Sequence, residues 1–207
     1  MSQPDWERTL EVGTAEQTHA LAAALGAELE AGDLLVLTGE LGAGKTTFTQ
    51  GLGEGLGVRA GIISPTFVLV RIHPNLPDGP RPGGPDLVHV DAYRLASASE
   101  IDDIDLENTM DSAVTVVEWG RGRVEHLSAS RLEIELHRRL GSAVTGDSQP
   151  GTTPSGGALP DDSVLDFDTD DADEPRTVVF RGFGPRWAAP PAALAGTTDL
   201  PAIPGTD

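Results

Sequence analysis

The chain has 207 residues, with 33 acidic side chains against 14 basic ones and a formal net charge of -19. That balance excludes electrostatic attraction of the whole molecule to nucleic acid or to an anionic membrane, and the lack of cysteine excludes disulfides, thiolate zinc sites, iron–sulfur clusters and a cysteine nucleophile. No apolar run reaches the ~18 residues of a membrane span, and the opening Met1-Ser2-Gln3-Pro4-Asp5 is neither cationic nor apolar as a signal peptide would be, so a cytoplasmic location is expected.

Residues 1–13 read as an N-terminal segment, and the ordered part is expected to begin with a helix. Thr14 and Gln17 form a candidate capping box there, followed by Leu21, Leu25 and Leu29 at helical spacing. Residues 34–37 are an unbroken apolar run, as in a strand buried on both faces. A glycine-rich loop follows, then a helix over 45–56. Residues 66–72 and 87–91 are expected to pair as a hairpin across the Pro/Gly-rich stretch 73–86, with an acidic helix over 100–107 and a buried strand over 113–117 beyond it. The alternating run 132–136 is expected to pair with 177–180 at the edge of the domain. Between them, residues 141–175 are rich in Gly, Ser, Thr, Pro and Asp, a composition that predicts a disordered insertion. Residues 176–187 then hold the returning edge strand, and 188–207 form an Ala/Pro-rich tail expected to lack structure. The charge follows this division: residues 1–140 carry 22 acidic and 11 basic side chains, and residues 141–207 carry 11 and 3.

The chemistry is concentrated in Gly39-Glu40-Leu41-Gly42-Ala43-Gly44-Lys45-Thr46, which fits G-x-x-x-x-G-K-[ST] without a mismatch. Backbone N–H groups from Gly42 to Thr46 can curl around a phosphate at the positive end of the following helix. Lys45 then supplies charge to the β- and γ-phosphates, and the Thr46 hydroxyl can ligate Mg²⁺. Thr47 completes the nucleotide-binding set of Glu40, Leu41, Gly42, Ala43, Gly44, Lys45, Thr46 and Thr47. Strand, glycine loop, helix and further buried strands predict an α/β fold over 14–140. It is a P-loop NTPase core with a mixed, largely buried sheet flanked by helices, plus edge hairpins. Of the 14 basic residues, only Lys45 is a lysine. The Asn-Lys-x-Asp element that selects guanine needs a second, so ATP is favoured.

Three later stretches accompany the loop: Ser64-Pro65-Thr66-Phe67, His89-Val90-Asp91-Ala92-Tyr93-Arg94-Leu95 and Val116-Val117-Glu118-Trp119. In this order the chain resembles the TsaE (YjeE) family, bacterial ATPases of tRNA threonylcarbamoyladenosine synthesis, over about residues 10–140. From position alone, Asp91 and Glu118 stand at strand C-termini, where open α/β sheets place ligand sites, but Asp91 could instead be a loop-starting carboxylate capping the next turn and Glu118 an exposed strand-end acid. The resemblance implies that Asp91 acts catalytically on the attacking water, with Lys45 on the phosphates. It also implies that Glu118 joins Thr46 as a Mg²⁺ ligand. It makes Thr66 a switch-type threonine and Trp119 a neighbour of the nucleotide, although Ser-Pro-Thr alone is an ordinary turn and a tryptophan after a buried strand is ordinary core. His89, one strand period from Asp91, reads as packed. ATP and Mg²⁺ are the implied cofactors, and a TsaB–TsaD type threonylcarbamoyl transferase complex is the implied partner. With a charge of -19, tRNA is expected to be reached only indirectly, and no membrane is involved.

Two rivals stand beside this reading. A small-molecule kinase would use an arginine-bearing lid, and Arg121, Arg123, Arg131, Arg138 and Arg139 are candidates, although the last three fall in or beside the alternating strand. A non-catalytic nucleotide-dependent interaction module would need Lys45 but not Asp91.

Overall fold

The computed structural model describes residues 3–95, 97–102, 106–138 and 174–195. The chain forms β1 (Trp6–Val12), α1 (Ala15–Gly26), β2 (Leu34–Gly39), α2 (Lys45–Leu56), β3 (Val70–His73), β4 (Asp86–Asp91), α3 (Ala98–Asp102), α4 (Glu107–Met110), β5 (Ala113–Glu118), β6 (Arg131–Arg138) and β7 (Arg176–Phe183). The strands make one seven-stranded sheet in the order β1-β7-β6-β2-β5-β4-β3. Its centre is parallel, β6 with β2, β2 with β5 and β5 with β4. Both flanks are antiparallel. The expected α/β architecture, a mixed buried sheet with edge hairpins, is the one observed.

Side-chain alternation divides the core in two. Leu35 and Leu37 of β2 face α1 and α2 and pack with Leu25, Phe48 and Leu52. Leu34 and Val36 face the other way, toward Ile101, Leu106 and Met110. With both faces covered, β2 reads as a continuous apolar run. Helix α1 opens as its sequence predicts: Thr14 Oγ1 accepts from Gln17 N at 3.2 Å, while the Gln17 side chain reaches back to accept from Gly13 N at 2.6 Å.

Several expectations change. Residues 6–12 are a strand within the segment expected to precede all structure, and this strand covers β7, so β7 is an interior strand and not the edge. Leu10 and Val12 face the core with Trp6 packed against it, but Arg8 breaks the apolar period. The hairpin is shorter than expected, with β3 starting at Val70. The acidic stretch is helical at Ala98–Asp102 and Glu107–Met110, and residues 103–105 lie outside the described residues. Beyond β7 the chain stays packed: Pro185–Trp187 and Ala192–Leu194 are 3-10 turns, and Leu194 is fully buried. Structure therefore continues past Ala188, where a tail was expected. The Glu28 carboxylate accepts from Ala192 N and Ala193 N at 2.9 and 2.5 Å, and Arg8 Nη1 donates to Leu194 O at 2.8 Å. The insertion lies outside the described residues over 141–173, as do Arg139 and residues 196–207.

Candidate functional site

The loop between β2 and α2 lies at the carboxyl end of the parallel strands, and the geometry there requires glycine. Gly39 has φ +148, and a Cβ on it would stand 2.5 Å from Leu136 O. The loop is thus pressed onto β6, and no other residue fits. Three strand ends are tied together around it, since Trp119 N donates to Leu37 O and Ala92 N donates to Glu118 O, each at 2.9 Å. Arg123 locks two of these exits through Nη1, which donates to Ala92 O at 2.6 Å and to Trp119 O at 3.1 Å.

A cavity of about 430 Å³ opens over this junction. The P-loop contributes Leu41, Gly42, Gly44, Lys45, Thr46 and Thr47 to its wall. Across from them stand Ser64, Thr66, Asp91, Glu118 and Trp119. Glu40 and Ala43 do not line it: the Ala43 side chain is fully buried in the core, and Glu40 takes part through its carbonyl. A second cavity of about 360 Å³, beside α2 and lined by His19, Glu54, Val58 and Ile62, has no such loop.

Lys45, Asp91 and Glu118 are all buried. Asp91 and Glu118 are register partners at the ends of β4 and β5. Lys45 Nζ donates to Gly39 O at 3.0 Å and to Glu40 O at 2.9 Å, and it lies 4.1 Å from the Trp119 ring centroid. Burial pushes the Lys45 pKa below its ordinary value, opposed by the charges of Glu118 and Asp91. Both oxygens of Asp91 are oriented. Oδ2 accepts from Thr66 Oγ1 at 2.6 Å and from Ser64 Oγ at 3.2 Å, and Oδ1 accepts from Tyr93 N at 2.9 Å. Thr66 thus joins the site directly, and the turn-capping role open to Asp91 is fulfilled alongside. Glu118 Oε1 pairs with His89 Nε2 at 2.9 Å, and His89 is fully buried, as its packed reading expected.

Backbone strain gathers here. Among the described residues, Leu69 and Trp119 are the non-glycine residues with positive φ, at 67° and 60°. Each follows or abuts a site strand: Asp91 N donates to Leu69 O at 2.9 Å. A bulky residue in this region is a costly conformer, held only by surrounding contacts. No local sequence pattern marks the strained backbone at these two positions. Arg138, which the sequence offered only as one of five candidate lid arginines, also lines the cavity.

The oxygen donors suit a hard cation: Thr46 and Glu118 share the cavity wall. Among the described residues no cluster of three or more His, Asp or Glu side chains is placed to hold a metal alone.

Residues 12–143 match the family model described as threonylcarbamoyl adenosine biosynthesis protein TsaE. A tRNA threonylcarbamoyladenosine biosynthesis protein TsaE from Streptomyces coelicolor is 46% identical over 170 residues, which are 81% of this chain and 93% of that protein. The Bacillus subtilis protein of the same name is 40% identical over 124 residues, 59% of this chain and 73% of its own. The crystal structure of Bacillus subtilis YdiB superposes with a TM-score of 0.56 at 27% identity, covering 88% of this chain and 89% of that one. A family match over most of the described core, with this degree of identity to full-length relatives, makes the chain a member of the TsaE family of tRNA threonylcarbamoyladenosine biosynthesis proteins.

Proposed function

We propose that the chain is a Mg²⁺-dependent P-loop ATPase whose cycle of binding and hydrolysis drives or resets a TsaB–TsaD type transferase complex during tRNA threonylcarbamoyladenosine formation. The observation that carries this is the meeting of Lys45, Thr46, Asp91 and Glu118 in one cavity over the glycine loop. Backbone N–H groups of residues 42–46 would receive the phosphates, and Lys45 would leave the carbonyls of Gly39 and Glu40 to reach them. Thr46 and Glu118 would hold Mg²⁺, directly or through water, which when bound neutralises phosphate charge. His89 steadies Glu118 for that role. Asp91, with Oδ2 held by two hydroxyls, would use its remaining lone pairs to orient the attacking water.

Partner dependence is supported by the rim of the cavity. Leu41 is 86% exposed and Phe67 87%, with Tyr93 also exposed against Trp119. Apolar side chains ringing a charged site suit a protein that closes over it. Of the candidate lid arginines for the kinase alternative, Arg138 lines the cavity but stands on strand β6 and not on a lid. Arg121 and Arg131 pair with glutamates of β6, and Arg123 braces loops.

The test is phosphate release by the pure protein, with and without the transferase complex, beside Lys45→Ala and Asp91→Ala. We expect slow turnover that the complex changes, ATP binding abolished by Lys45→Ala, and a fall of about 10²-fold or more in hydrolysis by Asp91→Ala with ATP still bound. Full modification activity with Asp91→Ala would favour the non-catalytic module instead. The isolated chain is expected to bind tRNA only weakly, because phosphate contacts supply most non-specific affinity and the chain is at -19. Submicromolar binding at physiological salt would refute that part.

A further inference from the structure

Strands β6 and β7 bring two arginines against the glycine loop from the side away from Asp91. Arg138 and Arg176 are register partners. Arg138 Nη1 lies 3.2 Å from where a Cβ on Gly42 would stand, and Arg176 Nε lies 3.4 Å from the equivalent point on Gly44. Arg138 also forms part of the nucleotide cavity wall. Its guanidinium is engaged by Glu174, whose Oε2 lies 2.7 Å from both Nε and Nη2. Glu174 is steadied in turn by Arg176, whose Nη1 donates to the Glu174 carbonyl at 3.2 Å.

The arrangement is asymmetric in strength. The Arg138 and Glu174 side chains are 33% and 27% exposed, so a single carboxylate there gives a modest ion pair. A polyphosphate in the loop offers several charges and a bidentate match to the same fork. The two anions want the same group at the same place, within reach of Gly42. Resting on the cavity's reading as an ATP site, we propose that Arg138 is a phosphate-binding residue of that site and Glu174 its internal competitor. The carboxylate occupies the guanidinium until nucleotide phosphates displace it. ATP binding then frees the Glu174 carboxylate, which stands just ahead of β7.

The experiment is equilibrium binding of a non-hydrolysable ATP analogue with Mg²⁺ to the full chain, using Arg138→Gln, Glu174→Gln and the double variant. Lys45→Ala serves as the control, with thermal unfolding of each protein recorded alongside. Arg138→Gln should weaken binding by about tenfold or more. The isosteric Glu174→Gln should tighten it by about three- to tenfold. The double variant should match Arg138→Gln alone, because the carboxylate then has nothing to compete for. If the wild-type chain binds and Lys45→Ala does not, while either single variant leaves affinity unchanged, the inference is overturned and the ATP site stands. A wild-type chain that binds no ATP overturns both.

Discussion

Asp91 shows how its surroundings fit a residue to the role proposed for it. Its carboxylate would be an ordinary strand-end acid but for the Thr66 hydroxyl, which donates to Oδ2 at 2.6 Å, and the Tyr93 N–H on Oδ1. Those two donors fix the carboxylate plane without removing its capacity to accept from water. Thr66→Val keeps the volume and removes the donor. The expected result is a fall in kcat of about tenfold with KM little changed, read from steady-state kinetics with the partner complex present. An equal loss in affinity would mean that Thr66 acts on the bound nucleotide and not through Asp91.

At the scale of elements, α2 is a poor helix by composition and a good one by fit. Its sequence KTTFTQGLGEGL has three interior glycines, each costing roughly 0.8–1 kcal/mol of propensity against alanine. Gly51 and Gly55 are tolerated because α1 crosses so closely: a Cβ on Gly55 would stand 2.0 Å from Ala23 O and 2.7 Å from Ala27 N. Backbone cannot yield as a side chain can. Gly55→Ala should therefore lose stability on the order of 1–3 kcal/mol despite its better propensity, measured as a lower urea midpoint. A gain in stability would show that the helices can separate without loss.

The same contrast explains what the sequence made legible. The P-loop could be read because its chemistry needs fixed types at consecutive positions, from Gly39 to Thr46. Strand β2 was equally plain, since burial on both faces leaves an apolar run. Arg138 was not, because its place beside Gly42 depends on the register of β6 against β2 and β7. No local pattern carries that. Strand β1 was obscured by Arg8, whose partner carbonyl belongs to Leu194 at the far end of the chain.

Over the whole molecule, charge is handled by embedding acids among arginines. Burial works against ionisation of Glu135, yet the Arg181 and Arg121 guanidiniums hold its carboxyl below the ordinary value. Arg186 grips Asp33 with Nε on Oδ1 at 2.8 Å and Nη2 on Oδ2 at 2.9 Å, tying the segment after β7 to the start of β2. Histidine behaves differently. Burial first, then His89 and Arg71, push the His73 pKa below its ordinary 6.5. The unfolded chain therefore binds a proton near about pH 6.5 while the folded chain does not. Stability should fall as pH drops below that value and level off once the folded imidazole also protonates. Wild-type protein is expected to lose more melting temperature than His73→Gln between about pH 7 and pH 5. Parallel curves would assign the acid sensitivity elsewhere.

The order of the sheet has a consequence in time. Strand β1 has one neighbour, β7, and it is made before every other described element, while β7 is the last strand. As the chain leaves the ribosome, β1 must wait, with Trp6 and Leu10 unsheltered, until residue 183 has been synthesised and β6 has a partner to offer it. The parallel centre, with Leu136 of β6 against the glycine loop, can assemble earlier, but the β7–β1 flank beside it closes only at the end. Long-range pairing of this kind is slow to form. The antiparallel flank that backs β6 beside the glycine loop is therefore among the last parts of the molecule to mature.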